Sequence, residues 1–505
     1  MAASNGAYRR PFVLAIDVGS SSVKAALYDA EANMVEGTLS QSGHELHTDV
    51  AGAAVEWPDH VLHAVESAID CVLKKVALLG DEMAGEIAAV GMDSMAMTIM
   101  PLGDGGRPLG PFYTYADSRA RDEVAQLREL VDEDSVHQRT GCHQHTSYMP
   151  AQMLWMAKNQ PELVRQARLW VDVGTYCHRR WFARDDIPMS IAAASWAGML
   201  DVDGLTWDEE LLSHLPLSVE RLPTLAPDQS SHQGLSAAYA DRWPALLDVP
   251  FFLTVPDGGA ANVGSGCVGE DRVALTLGTS GAMRMALESR PANIPKGLWA
   301  YNLADRTVLG GALTDAGSVY AWLRGNLRLP RDHAKLERDL AALEPAAHGL
   351  RVLPFLSGER SPGWASDATG VVQGIGVATS PVQIVQAWLE AVAYRFALIW
   401  GLLKPHASDD ATIIANGGAI LNSPYWAQLM ADVLVHPITM SAVPEAATRG
   451  SAILALKSLG VWSGFKDVEA PVALTYTPDA KRSAVYAREI QAQSQLYEAL
   501  VHGSL

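Results

Sequence analysis

AIDVGSSSVKAALY at residues 15–28 and ALTLGTSGAMRMAL at residues 274–287 follow one plan. In each, an apolar run ends at a glycine (Gly19, Gly278), small hydroxyl residues follow, and a second apolar run begins. Strand, Gly/Ser turn, strand is a hairpin pattern with backbone N–H groups at its tip. Glycine permits close approach to the backbone, and serine and threonine add hydroxyl donors, so such a tip suits a phosphate chain. The two glycines stand about half the chain apart. This spacing predicts two related α/β domains, each offering a hairpin tip to a shared cleft.

Outward from the first hairpin, helical patterns at about 57–79, 118–130 and 149–159 mix with strand-like stretches at 87–94 and 169–173. That alternation belongs to the α/β class. Near residue 250 the grammar restarts with a strand, Phe251–Val255, ending at Asp257-Gly258-Gly259. A boundary after Trp243-Pro244 therefore divides the chain into domains 1–248 and 249–505. The second half continues with a strand at 351–356, a helix from Pro381 to about Leu403 and a strand Thr412–Ala415. A glycine turn, Asn416-Gly417-Gly418-Ala419, follows, then helices near 424–435 and 445–459, and a final loop and helix.

A length of 505 residues with 49% hydrophobic content supports two cores, since single domains run to about 200–250 residues. The net charge of −19 argues against nucleic acid or an anionic membrane surface as a partner. Four scattered cysteines form no CxxC pair, which fits a reducing compartment. Neither a signal-like start nor an uninterrupted apolar run of about 18 residues is read. The cytoplasm is the expected location.

Several patterns exclude other chemistries. There is no GxxxxGK[ST], so a P-loop is not expected. The one GxGxxG, Gly264 to Gly269, ends a small-residue helical pattern (259–268) instead of opening a helix after a strand, so helix packing accounts for it. Cys142, His143 and His145 have no second ligand pair at metal spacing and read as a loop cluster. Asp17, at the end of the first strand, is placed to hold a Mg²⁺-bound water, and Lys24 to add positive charge.

The segments AIDVGSSSVKAAL (15–27), LTLGTSGAMR (275–284), VLPFLSGERSPGW (352–364) with GVVQGIG (370–376), and ANGGAILNSPYW (415–426) resemble, in order, the motifs of FGGY carbohydrate kinases. The resemblance implies a two-domain α/β fold of the actin/hexokinase/heat-shock-70 ATPase type, ribonuclease H-like, with ATP, Mg²⁺ and a sugar in the inter-domain cleft. It implies that Asp17, Gly19, Ser20, Ser21 and Lys24 form the first phosphate motif, Asp17 acting on the metal through water. Gly278, Thr279 and Ser280 form the second, and Gly417, Gly418, Ala419 and Asn422 lie along the adenosine. Asp257 matches the catalytic aspartate. A helix N-terminus there keeps a carboxylate ionised, as a base taking a hydroxyl proton must be.

Within the family, PDGGAANVGSG (256–266), Arg284 in GTSGAMR and VLGGALTDAGSVYAWL (308–323) resemble gluconate kinases. The resemblance places Ser94, Met97, Asp117, Arg119, Gly258 and Arg284 about the sugar. Met97 stands where the family often has histidine, and Tyr115 where a tryptophan precedes the motif's aspartate. The expected reaction is phosphorylation of D-gluconate to 6-phosphogluconate, with a pentulose or pentitol kinase such as a xylulokinase as the second reading. A non-catalytic ATPase of the actin or heat-shock-70 kind is the alternative from another class, and it has no need of Asp117 and Asp257 together. The expected partner is a small sugar or sugar acid, with a homodimer kept open.

Overall fold

FVLAIDV, β1 (Phe12–Val18), is buried along its whole length, as a strand covered on both faces must be. In the computed structural model, which describes residues 8–44, 46–80, 83, 85–465 and 468–503, it lies inside the first of two large mixed sheets. β1 pairs antiparallel with β2 (Ser22–Tyr28), and β2 with β3 (Ser40–Gly43). On its other side β1 runs parallel to β4 (Ile87–Ser94). Beyond β4 come β5 (Ser231–His232), β6 (Phe251–Phe252) and β7 (Val255–Pro256), the last two parallel to β4. The helix Pro58–Leu79, opened by Pro58 and closed at Gly80, buries Val61, Val65, Ile69, Val72 and Val76 against this sheet.

The second sheet repeats the arrangement. β8 (Arg272–Leu277) pairs antiparallel with β9 (Gly281–Leu287), and β10 (Trp299–Leu303) and β11 (Arg306–Leu313) continue on that side, β11 next to β9. On its other side β8 runs parallel to β12 (Thr412–Asn416), followed by β13 (Ile438–Ser441) and β14 (Val472–Tyr476). Each sheet thus carries a central strand, its hairpin partner on one flank and parallel strands on the other. The duplication expected from the two hairpin segments extends to strand order.

Contacts divide the chain into two units: Met1–Val268 with Ala300–Val308 and Pro444–Glu469, and Gly269–Trp299 with Leu309–Val443 and Ala470–Leu505. The sequence boundary at 248/249 falls inside the first unit. β6 and β7 pair on β4, and the helix Asp257–Gly264 crosses the helix Ala446–Ser458. A Cβ on Gly264 would lie 1.7 Å from Ala446 O, and one on Gly450 1.8 Å from Ala260 O. Only glycine at both positions lets these helices touch, which accounts for the first glycine of the GxGxxG. The helix runs from Asp257 to Gly264 and not over 259–268.

In the second unit the helix Pro381–Leu403 begins with a capping box between Ser380 and Gln383. The stretch Pro381–His406 is long and apolar enough to cross a membrane, but most of it is buried in the protein. The sequence reading has only a loop before the last helix, Ala480–Val501. The structure places β14 there, an edge strand whose exposed residues give no burial pattern to read.

Candidate functional site

Parallel pairing of β1 with β4 sets Asp17 opposite Asp93 and Val18 opposite Ser94. Pairing of β7 with β4 sets Val255 opposite Asp93 and Pro256 opposite Ser94, so Asp257 follows directly at the same sheet edge. Three neighbouring strands therefore deliver Asp17, Asp93 and Asp257 together, with the tip Gly19-Ser20-Ser21 beside them. Burial raises the Asp17 carboxyl to about 6, with the Asp257 charge adding to the effect. Burial and the adjacent Asp17 charge push Asp93 well above the usual carboxylate range. Ser451 Oγ donates to Asp93 Oδ2 at 2.6 Å, while Asp93 Oδ1 has no hydrogen-bond partner among the described residues. Sequence reasoning missed Asp93, because no glycine turn marks that strand end.

Asp257 is the first residue of its helix, after Pro256. Its Oδ1 accepts from Gly258 N at 2.7 Å and Ala96 N at 3.4 Å. These amides hold the carboxylate in place. Lys24, opposite Asp17 across the hairpin, is paired with Glu445 at 2.7 Å. Its charge is balanced within the unit and is not a bare cation.

Ser94, the last residue of β4, and Met97, just after it, are both buried, and Met97 adopts a left-handed φ of 57°, which is uncommon for a residue with a side chain and often marks a site. Asp117 and Arg119 are bound to each other. Arg119 Nε lies 3.0 Å from Asp117 Oδ1, and its guanidinium stacks 4.2 Å from the Trp155 ring centroid. Ala54 N also donates to Asp117. This pair is a rigid polar block, with Asp117 held by the same arginine expected beside it. Cys142, His143 and His145 turn to separate neighbours: Ser195 O, Glu133 and Ser147.

In the second unit, Gly278, Thr279, Gly418, Ala419 and Asn422 line one cavity of about 480 Å³, a volume in the range of small-molecule pockets. The tip is locked to the helix Gly317–Asn326, because Thr279 O accepts from Ala316 N and Ser318 N. Gly417 has φ +95°, and a Cβ there would lie 2.3 Å from Leu277 O, so the turn needs glycine. Ser280 O closes the tip by accepting from Gly278 N. Tyr320, His333 and Trp426 also line the cavity and were not read from the sequence; His333 bridges Tyr320 OH and Asn422 O.

Arg284 is buried, not a solvated edge residue, and its Nη2 donates to Thr276 Oγ1 at 2.9 Å on the strand entering the second tip.

Among the described residues, no cluster of three or more His, Cys, Asp or Glu side chains is placed to hold a metal directly. The hard oxygen donors of Asp17 and the open Oδ1 of Asp93 nonetheless fit Mg²⁺, which keeps several waters and takes only one or two carboxylates.

Sequence profiles of the N- and C-terminal domains of the FGGY family of carbohydrate kinases match residues 12–264 and 273–459. The gluconokinase of Bacillus subtilis (strain 168) is 26% identical over 477 residues, 92% of this chain and 91% of that protein. Two solved structures from Lactobacillus acidophilus share the fold at TM-score 0.87 and 25% identity. A gluconate kinase covers 97% of this chain and 98% of its own, and a ligand-bound xylulose kinase covers 98% and 99%.

Proposed function

Because the chain belongs to the FGGY family of carbohydrate kinases, we propose D-gluconate as the acceptor of the phosphoryl group it transfers from ATP. The family makes it a sugar phosphotransferase with ATP as donor. The observation that carries the mechanism is the sheet edge that sets the Asp257 carboxylate one strand from Asp93 and two from Asp17, beside the first tip. Asp257 takes the proton from a terminal hydroxyl of the sugar as the hydroxyl oxygen attacks the γ-phosphorus and the bond from that phosphorus to the β-phosphate oxygen breaks, releasing ADP. Gly258 N and Ala96 N keep that carboxylate aimed and ionised. Phosphoryl transfer asks mainly for alignment and charge neutralisation. Asp17, with Asp93 beside it, is the carboxylate that would hold Mg²⁺ through water, and the ion neutralises charge on the phosphates when bound. In the tips, Gly19 N and Gly278 N close the turns on Ser22 O and Ser280 O, and Ser20, Ser21, Thr279 and Ser280 are the residues that present backbone N–H and hydroxyl donors to phosphate oxygens. The cavity behind Gly418 and Asn422 takes the adenosine.

Gluconate is favoured by the gluconokinase relative, by the PDGGAANVG segment and by Arg284. A pentulose is the second reading, supported by the equal likeness to a xylulose kinase structure. A coupled ADP-release assay across aldonates, pentuloses, pentitols and glycerol tests both. Gluconate should give the highest kcat/KM, and a pentulose or glycerol giving the highest value removes the gluconate assignment. Arg284→Met should lower gluconate use by roughly 10-fold or more, the worth of one charged hydrogen bond, and spare neutral polyols. Equal loss on both would leave Arg284 as a support for the second tip through Thr276.

A further inference from the structure

His44 follows β3 and grips the first hairpin tip at two points. Its backbone N–H donates to Ser21 O at 3.0 Å, and its ring Nε2 lies 2.8 Å from Gly19 O. On the other side of the ring, Nδ1 lies 3.1 Å from Glu56 Oε2. A carbonyl oxygen and a carboxylate oxygen only accept hydrogen bonds, so both ring nitrogens donate and the ring is an imidazolium. Glu56 is nearly buried and accepts from Trp57 N with its other oxygen. Its hydrogen bond raises His44 above the ordinary imidazole value. Around them, His60 stands 4.0 Å from Glu56 Oε1, and on the hairpin Asp17 lies beside Asp93 and Lys24 is paired with Glu445.

The grip has a consequence for the tip. A trans peptide points its C=O and N–H in opposite directions, and the Gly19–Ser20 bond is trans. A donor fixed on Gly19 O therefore turns the Ser20 N–H away from His44, and hydrogen bonding at one end of a peptide strengthens donation at the other.

We propose that His44, held as an imidazolium by Glu56, is a positioning residue of the nucleotide site: it fixes the Gly19–Ser20 peptide so that Ser20 N–H donates to a phosphate oxygen of ATP. This rests on the reading of the first tip as phosphate-binding. Its consequence is a KM for MgATP that depends on the charge of His44 while the KM for the sugar does not.

Three variants test it, each checked by circular dichroism and thermal melting. His44→Phe should raise the KM for MgATP roughly 5-fold or more, the worth of one hydrogen bond, and leave the KM for the acceptor unchanged. His44→Gln keeps a neutral donor toward Gly19 O and should recover much of the loss. The imidazolium is present at low pH and is lost as pH rises through its raised folded value. Wild-type KM for MgATP should accordingly climb between pH 6.5 and pH 9, while the glutamine variant stays flat. Ser20→Pro deletes the N–H itself. A normal KM for MgATP in Ser20→Pro would overturn the phosphate reading of the tip. Impaired Ser20→Pro with normal His44→Phe, or a glutamine variant that keeps the wild-type pH dependence, would overturn the role of His44 alone. Should His44→Phe fail to fold, the glutamine pH profile decides.

Discussion

Asp257 has two backbone N–H donors on one carboxylate oxygen and a position at the start of a helix, which together favour the ionised form a base requires. Asp257→Asn preserves size and should lower kcat by roughly 10²–10⁴, the usual range for a removed general base, with the KM for MgATP little changed. Near-normal turnover in a single-turnover assay would pass the proton to another group. Asp17 and Asp93 make a different prediction, for the protein without ligands. Asp17 ionises at about 6 when folded, against 3.8 for the free side chain, and Asp93 is raised further. The folded state therefore holds protons that the unfolded chain releases, so stability falls as pH rises from about 4 through 6 and beyond. Asp93→Asn mimics the protonated carboxyl and can still accept from Ser451. At pH 8 it should stabilise the apo protein, and at pH 4 make little difference. Melting curves at both pH values decide it, and equal shifts at both would mean the pair carries no proton. Asp17 and Asp257 are legible in the sequence because each closes an apolar run just ahead of a glycine, Gly19 or Gly258. Asp93 is not, since Ser94 and Met95 follow it in place of a glycine and its partner Ser451 lies 358 residues away.

Hairpins and glycine turns are the elements a sequence shows most plainly, because a turn that needs glycine leaves a local mark. Gly19, Gly278 and Gly417 each sit where the sequence puts a turn, and the strands on either side match within a residue. What the cavity of the second unit adds is invisible locally. Tyr320 and His333 sit on separate helices and meet only in the folded chain, where the helix Gly317–Asn326 is also bound to the Thr279 tip. β14 is missed for the opposite reason: an exposed edge strand has no buried face to set its period. The turn at Gly417 supports a prediction at this scale. Alanine there must take a left-handed φ and push its Cβ against Leu277 O on β8, parting β12 from β8 where the cavity begins. Gly417→Ala should cost at least about 1–3 kcal/mol, the price of one strained backbone position, and weaken binding of a non-hydrolysable ATP analogue. The readouts are apo melting and an analogue titration, and normal values of both would show that the turn tolerates a side chain.

At the scale of the chain, the first unit cannot be read as the first half. Its sheet is built from residues before 257, yet it is completed by the helix Ala446–Ser458. Thr448 Oγ1 meets Tyr28 OH at 2.7 Å, and Ser451 holds Asp93. Arg449 donates to the carbonyls of Ala32, Gly264 and Glu469. Gly450 admits Ala260, and Gly91 on β4 has room only for a hydrogen, because a Cβ would lie 2.5 Å from Ser451 O. No composition shift or linker marks this helix as belonging to the earlier sheet, so the boundary at 248/249 is the natural reading of the sequence, and the contact units divide the chain differently. A chain of residues 1–268 alone would leave Asp93, Tyr28 and Lys24 without these partners and strip a buried face from β1 and β4. Each orphaned buried polar group costs about 1–3 kcal/mol, against a total stability of only about 5–15 kcal/mol for an ordinary domain. Residues 1–268 should accordingly show no cooperative melting and should bind a hydrophobic dye such as ANS, as loosely packed chains do. The same segment joined through a flexible linker to residues 444–469 should regain a cooperative transition, because the missing polar partners and the glycine crossing return together. Cooperative melting of 1–268 by itself, at a temperature near that of the full chain, would show that the sheet holds without the helix and that the late segment only decorates it.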